Sequence, residues 1–410
     1  MKSSTAPASV PVRPDPVTAP QRRSAGFLLA YALANAGGVL AYLPFLTLLL
    51  PLKVEGLVGA SRVTVLSMIL IGGAVAASIG NILAGMLVDA SYARGWGRRG
   101  WMVLGVTATA AAYGLILMAQ TPVALFVAVV VFQLALNGMI SPIAVMMVDE
   151  VPDAQKGLAG GLLALGQPVA MSVAVALVTL YERGEGAAYL AVGVLAAVLV
   201  APLLLTRAQA APPSQAVGHV MMARRDLVWI ALSRLMLMSA NSLLSGVLLY
   251  YFESLSDHLS PGAVAQRVGV VSMLACGAAV PVAVGVGALP ADGMRRKAMV
   301  MAAALVSGGA LGMMVLAPAW QWAALGYGMF VCATQVYASQ HSAIVAQALR
   351  SPRHRARDLG WQNLANTVPA VIGPVLVLML HASADWQGLI WVMLALVAGS
   401  VLALGRTRVI

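Results

Sequence analysis

Residues 85–101 read GMLVDASYARGWGRRGW and join two long apolar stretches of the chain. Gly85 permits the close approach of a neighbouring helix, and Asp89 caps the end of the first stretch. The segment then carries three arginines, Arg94, Arg98 and Arg99. Guanidinium groups donate hydrogen bonds to carboxylates and to the carbonyl ends of helices. The spacing therefore predicts a loop that latches neighbouring helices together at one end of the molecule.

The composition of the chain argues against a water-soluble protein. Of its 410 residues, 60% are hydrophobic and 10% are charged, whereas soluble domains are nearer half apolar and a quarter charged. A membrane helix takes ~20 mostly apolar residues, so the chain can supply about twelve spans. The apolar runs are twice as long as the ~10-residue alternating strands of a membrane barrel. We therefore predict an all-α integral membrane protein.

Apolar runs bounded by charged or turn residues define twelve predicted spans. They lie near 26–50, 62–88, 100–119, 122–148, 157–181, 187–206, 227–253, 264–290, 298–317, 320–349, 358–381 and 386–405. We group them into two six-helix bundles, 26–206 and 227–405, joined by a Pro/Ala/Gln-rich linker at 207–226. Residues 1–25 are predicted to be a disordered tail without a signal-peptide pattern, and 406–410 a short second tail.

The distribution of basic residues predicts the orientation. If both tails and the linker share one side, that side has 20 basic residues and the other has four. Cytoplasmic loops are enriched in Lys and Arg, so we expect the tails and the linker in the cytoplasm and the protein in the cytoplasmic membrane. Topology thus explains the net charge of +11, and no nucleic-acid partner is expected. The orientation in the membrane would by itself explain the arginines of 85–101. It would not explain the Gly-x-x-x-Asp that precedes them, which favours the latch.

The two bundles resemble each other in sequence. RVTVLSM (62–68) opens the second predicted span and RVGVVSM (267–273) opens the eighth, 205 residues later. Asn35 and Asn241 lie 206 residues apart in the first and seventh spans. Such a near-constant offset indicates a duplication, and several transporter folds are built from two parallel halves.

The loop at 85–101 resembles the one between the second and third helices of major facilitator superfamily transporters. More narrowly, it resembles that of the glycoside–pentoside–hexuronide symporters and the sucrose-transporter-like carriers. The matching residues are Gly85, Asp89, Arg94, Trp96, Gly97, Arg98 and Arg99, while Ala90 stands where the family usually has Arg. SPIAVMMVDEVPDAQKG (141–157) and ARDLGWQNLANTVPAVIGPVL (356–376) are similar to two further stretches of these carriers.

The resemblance implies the major facilitator fold and cation-coupled uptake of a sugar or glycoside. It also implies a gating set, which is Gly85, Asp89, Arg94, Arg98, Arg99 and Asp149. A symporter usually needs an intramembrane carboxylate or histidine, yet none of the fourteen acidic residues falls at the middle of a span. We therefore take Glu253 and His341 as candidates for coupling to protons or sodium. A buried neutral histidine satisfied by a carbonyl group is the plainer interpretation of His341.

Polar residues recur at helical spacing on the first, fourth, seventh and tenth spans. Polar groups in hydrocarbon usually face the bundle interior or a water-filled cavity. We predict that eight of them line a solute cavity between the halves: Tyr31, Asn35, Gln133, Asn137, Arg234, Asn241, Thr334 and His341. Any single one can equally hold two helices together, and Arg234 can extend to the membrane surface instead. An Arg234 close to His341 would favour the neutral histidine.

The sequence thus predicts a monomeric secondary transporter of a small organic solute, with a sugar or glycoside as the first expectation. Two alternatives stay open: an exporter of amphipathic compounds, and a non-transporting membrane assembly factor of the same fold. The sequence carries no nucleophile–base set, metal-ligand cluster or phosphate loop. We therefore expect no enzymatic activity, no metal and no cofactor.

The predicted orientation can be tested with single cysteines. Cysteines placed at Glu55 and Asp257 should react with a membrane-impermeant maleimide applied to intact cells, because both positions follow spans on the outer side. Cysteines at Ser214 and His354 should react only after the cells are permeabilised. Outside labelling at Ser214 would contradict the topology, because it would leave an odd number of spans in the first half.

Overall fold

The computed structural model describes residues 22–58, 62–92, 94–95, 97–208, 224–256, 261–291, 293–317, 319–348, 355–380 and 386–407. Most of the predicted tail, most of the linker and the last three residues therefore lie outside the described part of the chain. So does Trp96 of the predicted latch.

The first half consists of long helices that follow one another closely. They are α1 (Ala25–Pro44), α2 (Leu50–Val58), α3 (Arg62–Tyr92), α4 (Arg98–Met118), α5 (Pro122–Asp149), α6 (Asp153–Leu162), α7 (Gly166–Arg183) and α8 (Glu185–Leu205). A π-helical turn, Phe45–Leu49, links α1 to α2 directly after Pro44, which lacks an amide hydrogen. A 3₁₀ turn, Leu163–Leu165, links α6 to α7. The first six predicted spans thus each coincide with a continuous helical segment.

The second half repeats this pattern. Its helices are α9 (Arg224–Ser254), α10 (Pro261–Ala288), α11 (Gly293–Val315), α12 (Trp320–Ala348), α13 (Arg355–Leu380) and α14 (Trp386–Gly405). Each of the last six predicted spans overlaps one of them. Within the described residues, nine helical segments are long and apolar enough to cross a membrane. Large apolar side chains such as Met68, Leu190 and Met273 are exposed on the outer faces, which suits a surface covered by lipid. The protein is an all-helical integral membrane protein.

Each half has its own apolar core. In the first half, the Phe45 ring packs edge-on against the Phe132 ring with centroids 4.8 Å apart. In the second, the Phe252 ring lies 5.4 Å from the Tyr251 ring and 5.2 Å from the Trp320 ring. Phe45 and Tyr251 are 206 residues apart, which is also the separation of Asn35 and Asn241. The duplication seen in the sequence therefore extends to the packing of the cores.

The halves meet at the end of the bundle that holds residues 22–24, the loop around Arg94 and residues 406–407. We call this the basic end and the other the opposite end. There, α3 packs against α13, and α6 packs against α10 and α12. Glycines permit this approach. A Cβ atom on Gly160 would lie 2.5 Å from the Ser339 carbonyl oxygen of α12, and one on Gly161 would lie 2.6 Å from the Ala283 carbonyl oxygen of α10. Both distances are well inside van der Waals contact.

Gly161→Ala should therefore destabilise the closed basic end by about 1–3 kcal/mol, the usual cost of overpacking. The matched control is Gly309→Ala in α11, where an added Cβ meets no atom within 4 Å. Alanine is the better helix former by roughly 1 kcal/mol, so the control should be neutral or stabilising. Thermal unfolding of the purified protein in detergent measures both. A melting temperature of Gly161→Ala equal to that of Gly309→Ala would contradict the close contact.

Candidate functional site

Two adjoining cavities lie between the halves. The larger, of about 560 Å³, is lined by α1, α3, α5 and α13 and extends toward the opposite end as far as Leu46 and Ser67. The smaller, of about 230 Å³, is lined in addition by α9 and α12 and reaches Met147 and Ala346 near the basic end. Six residues line both cavities: Asn35, Asn81, Ile140, Ile143, Asn363 and Asn366. The cavities thus form a path that narrows toward the closed end.

Five of the eight residues predicted to line a cavity surround this path. Asn35 lines both cavities, and its Nδ2 donates to the Leu163 carbonyl oxygen at 3.3 Å. Gln133 and Asn137 line the larger cavity. Tyr31 and Arg234 line the smaller one.

The structure places the remaining predicted residues elsewhere. Among the described residues that line these two cavities, Asn241, Thr334 and His341 do not occur. Asn241 is half-buried, and its carbonyl oxygen accepts a hydrogen bond from a hydroxyl one turn later. Thr334 is buried and donates to the Val331 carbonyl oxygen at 3.0 Å. Glu253, the other coupling candidate, is half-buried near the end of α9.

His341 is fully buried directly behind Arg234. Arg234 Nη1 lies 3.1 Å from His341 Nδ1, and His341 Nε2 lies 3.0 Å from the Ile230 carbonyl oxygen. A guanidinium group has no acceptor, so Nδ1 must accept and Nε2 must carry the proton. This arrangement requires the neutral Nε2–H tautomer of His341. Arg234 lies ten residues, or about 15 Å, from the start of α9. The helix begins at Arg224, three residues before the predicted span, so Arg234 lies deeper in its helix than the sequence predicted.

A chain of hydrogen bonds runs from Arg234 across the interface between the halves. Arg234 Nε donates to Asn366 Oδ1 at 2.7 Å, and Asn366 Nδ2 donates to Asn363 Oδ1. Asn363 Nδ2 then donates to Asn81 Oδ1 of α3 at 2.6 Å, and Asn81 Nδ2 donates to the Ala77 carbonyl oxygen at 3.0 Å. Because arginine can only donate, it fixes the orientation of each amide that follows. We call this the amide chain.

The sequence prediction did not include the asparagines of the amide chain. Asn81 stands alone in the second apolar run, and Asn363 and Asn366 are three residues apart on one face of α13. The predicted cavity residues lie on the first, fourth, seventh and tenth spans, whereas these three asparagines lie on the second and eleventh. The sequence signal that marks them is an amide side chain inside a predicted span.

The predicted latch loop forms a compact network of charges at the basic end. Arg98 Nη1 lies 3.3 Å from Asp89 Oδ1, and Arg98 Nε lies 3.2 Å from Asp149 Oδ2. The second oxygen of Asp89 accepts from the Arg357 backbone amide at 3.1 Å, in the first turn of α13. A carboxylate at a helix N-terminus is stabilised by the amides and the dipole there. Asp89 therefore joins the two halves.

Around this network lie the other residues of the gating set and two that the sequence prediction omitted. Arg99 makes a bidentate pair with Glu150, with contacts of 2.8 and 3.2 Å, and Arg23 pairs with the same carboxylate. Burial lowers the pKa of Arg23, while Glu150 opposes that shift. Gly85 is buried in α3, and Arg94 is exposed.

The second half has a weaker version of this network. Arg296 follows Arg98 by 198 residues and is buried, and its Nη1 donates to Gln340 Oε1 at 2.9 Å. A Cβ atom on Gly157 of α6 would lie 2.6 Å from the same Nη1. The side chain of Arg296 thus lies against the first half and helps to fill the contact between α6 and α10.

Two helical bundles that meet around central cavities and close at one end have the architecture of solute carriers. The chain belongs to the Major Facilitator Superfamily, whose sequence profile matches residues 24–351. No curated protein sequence matches the chain significantly.

Solved structures of this superfamily share the fold at low sequence identity. The human organic anion transporter TETRAN is 15% identical with a TM-score of 0.72, over 93% of this chain and 100% of that one. A bacterial homologue of the iron transporter ferroportin, in an outward-facing state, is 14% identical with a TM-score of 0.68, over 93% and 98%. The fucose:proton symporter of E. coli is 13% identical with a TM-score of 0.66, over 93% and 98%. This family and these neighbours are transporters and not enzymes.

Asp89→Asn should loosen the basic end, because it weakens both the Arg98 ion pair and the contact to α13. We expect a cysteine at Ala346, in a background without Cys276 and Cys332, to react at least five times faster with a maleimide from the basic end. Arg98→Ala should act in the same way. Arg207→Ala is the matched control, since Arg207 is an exposed arginine at the same end of the molecule and outside the gating set. If the Asp89→Asn protein is present at normal levels and its labelling rate is unchanged, the loop does not hold the basic end closed, and its arginines only set the orientation in the membrane.

Proposed function

We propose that this chain is a secondary transporter that moves a small organic solute across the cytoplasmic membrane by alternating access. The observation that carries the proposal is the path of two cavities between the halves, which ends at a closed basic end. With the basic end in the cytoplasm, the solute reaches the path from the outer side. Rocking of the halves then opens the basic end and closes the opposite end.

The contacts at the basic end are suited to such a movement. Across the halves, Lys156 Nζ donates to the Ala346 carbonyl oxygen at 3.4 Å, and Asp89 accepts from the Arg357 amide. Both lie within one turn of a helix end, so separation of the halves would let water replace them, and such an exchange costs little net free energy. Gly160 and Gly161 of α6 contact only backbone atoms of α12 and α10, so the Arg296 side chain beside Gly157 is the one described side chain of these glycine contacts that would have to move. We therefore expect the halves to separate here as rigid bodies, in the monomer.

For the solute, a sugar or glycoside remains the first candidate. Seven amide side chains line the path: Asn35, Asn81, Gln133, Asn137, Gln362, Asn363 and Asn366. An amide both donates and accepts, as each sugar hydroxyl does, so amides suit hydroxylated solutes. The resemblance to the glycoside–pentoside–hexuronide carriers supports the same class. The wall of the larger cavity is otherwise largely apolar, which favours an exporter of amphipathic compounds as the second candidate.

We propose His341 as the site of proton coupling, and its hydrogen bonds support this proposal. A proton added at Nδ1 would remove the acceptor of Arg234 Nη1 and place two cations 3.1 Å apart. The groups that face the ring are Arg234 and the Ile230 carbonyl oxygen from α9 and the stacked ring of Tyr337 from its own helix. Protonation would therefore hold Arg234 away from the ring once Arg234 has moved. Glu253, near the outer end of the same helix, remains the second coupling candidate.

Uptake into proteoliposomes tests the proposal. The purified protein should accumulate at least one solute from a panel of sugars, glycosides, sugar acids and amphipathic compounds, with saturation. Asn81→Ala should lower the rate at least tenfold, because it breaks the amide chain between the halves. Thr107→Ala, at an exposed threonine of α4, is the matched control and should retain the wild-type rate. No saturable uptake of any member would favour the assembly factor over a transporter.

The same assay with a pH gradient tests the coupling. Accumulation should increase when the gradient is imposed, and His341→Gln should abolish that increase while leaving solute exchange intact. Glutamine can still accept from Arg234, so the fold should persist. Full gradient-driven accumulation in His341→Gln would remove the coupling role of His341 and leave the transport proposal in place.

A further inference from the structure

Arg234 brings a positive charge into the apolar interior without a carboxylate among its described partners. Its hydrogen bonds go to Asn366 Oδ1, His341 Nδ1 and Ser342 Oγ, at 2.7, 3.1 and 3.1 Å. All three acceptors are neutral. An ion of this kind costs several kcal/mol to hold away from water unless a counter-charge is supplied. Neutral hydrogen bonds offset only part of that cost.

The acidic residues at the ends of α3 and α5, Asp89, Asp149 and Glu150, pair with Arg98 or Arg99, and those of α9 and α13 are too distant to neutralise the charge of Arg234. On α9, Asp226 and Glu253 are 8 and 19 residues from Arg234, which is about 12 and 28 Å along the helix. On α13, Asp358 is eight residues from Asn366 and pairs with Arg357 at 3.2 Å. The counter-charge must therefore come from outside the described protein.

Arg234 also keeps a donor for such a partner. Its Nε and Nη1 make the three hydrogen bonds, while Nη2 has no hydrogen-bond partner among the described residues. Arg234 lines the smaller cavity, so a group bound there can reach it. The neutral His341 behind it and the amide chain beside it hold the guanidinium group in place.

The sizes of the cavities indicate how a solute would lie. Sites for complete small molecules are usually about 300–1,000 Å³. The larger cavity, of about 560 Å³, is in this range, while the smaller one, of about 230 Å³, has room only for part of a molecule. Gln362 lines the smaller cavity, and its buried Oε1 has no hydrogen-bond partner among the described residues. A head group with an acidic oxygen and a donor would satisfy both Arg234 and Gln362.

We propose that the transported solute is an organic anion whose acid group binds Arg234 in the smaller cavity, while its body occupies the larger cavity. This inference rests on the transport function proposed above. It selects sugar acids over neutral sugars, and amphipathic acids over amphipathic bases.

Matched pairs of solutes that differ only in the acid group test the inference. We choose galacturonate with galactose, and phenyl β-glucuronide with phenyl β-glucoside. In proteoliposomes, the wild-type protein should take up the acid of at least one pair at least ten times faster than its neutral partner. In Arg234→Gln, the ratio of the uptake rate of the acid to that of its neutral partner should fall at least tenfold. Arg234→Lys, which keeps the charge, should retain part of it. Arg225→Gln, at an exposed arginine of the same helix, should behave as wild type.

The outcomes separate this inference from the transport proposal. Equal or faster uptake of the neutral partners by the wild-type protein would overturn the anion site and leave transport standing. The same conclusion would follow if Arg234→Gln kept the preference for the acid. Uptake of a neutral panel member but of no acid would overturn the anion site alone, and uptake of no panel member by correctly folded wild-type protein would overturn both proposals. If Arg234→Gln does not fold, the preference of the wild type and its reduction in Arg234→Lys decide the question.

Discussion

Every polar group placed in hydrocarbon needs a partner within the protein or its cavities, and this constraint organises the interior of the molecule. Arg234 is the strongest case, because its charge cannot be removed by deprotonation. It fixes the tautomer of His341 on one side and the direction of the amide chain on the other. Through Asn363 and Asn81, that chain reaches the first half. One half-buried donor thus determines the arrangement of polar groups on three helices.

The two halves share a fold but differ in how their basic ends are held. In the first half, Arg98 has two carboxylate partners, Asp89 and Asp149. In the second, Arg296 donates to the neutral Gln340 and lies against α6 of the first half. The first half is therefore stabilised internally, whereas the second depends more on contact between the halves. Separation of the halves would disturb the surroundings of Arg296 more than those of Arg98.

Length and hydropathy were sufficient to predict the membrane helices, because they define such a helix locally, whereas the major facilitator fold was implied by the resemblance of the three motifs. It also indicated that Asp89 and the arginines of the same loop would hold neighbouring helices together at one end of the molecule. It could not show which helix faces meet across the halves. The contact of Asn81 with Asn363 joins positions 282 residues apart, and no local periodicity encodes it. The same holds for Gly161 against Ala283, which depends on the crossing of two whole helices.

The position of His341 has a consequence for the order of events during transport. In the closed state, its Nδ1 faces a guanidinium group and its Nε2 faces a carbonyl oxygen, so a proton can arrive only after Arg234 has moved. An anionic solute bound to Nη2 would draw Arg234 toward the cavity and release Nδ1. Solute binding would then precede protonation, and the proton would in turn hold Arg234 on the solute by repelling it from the ring. A coupling of this kind requires no carboxylate in the middle of a span.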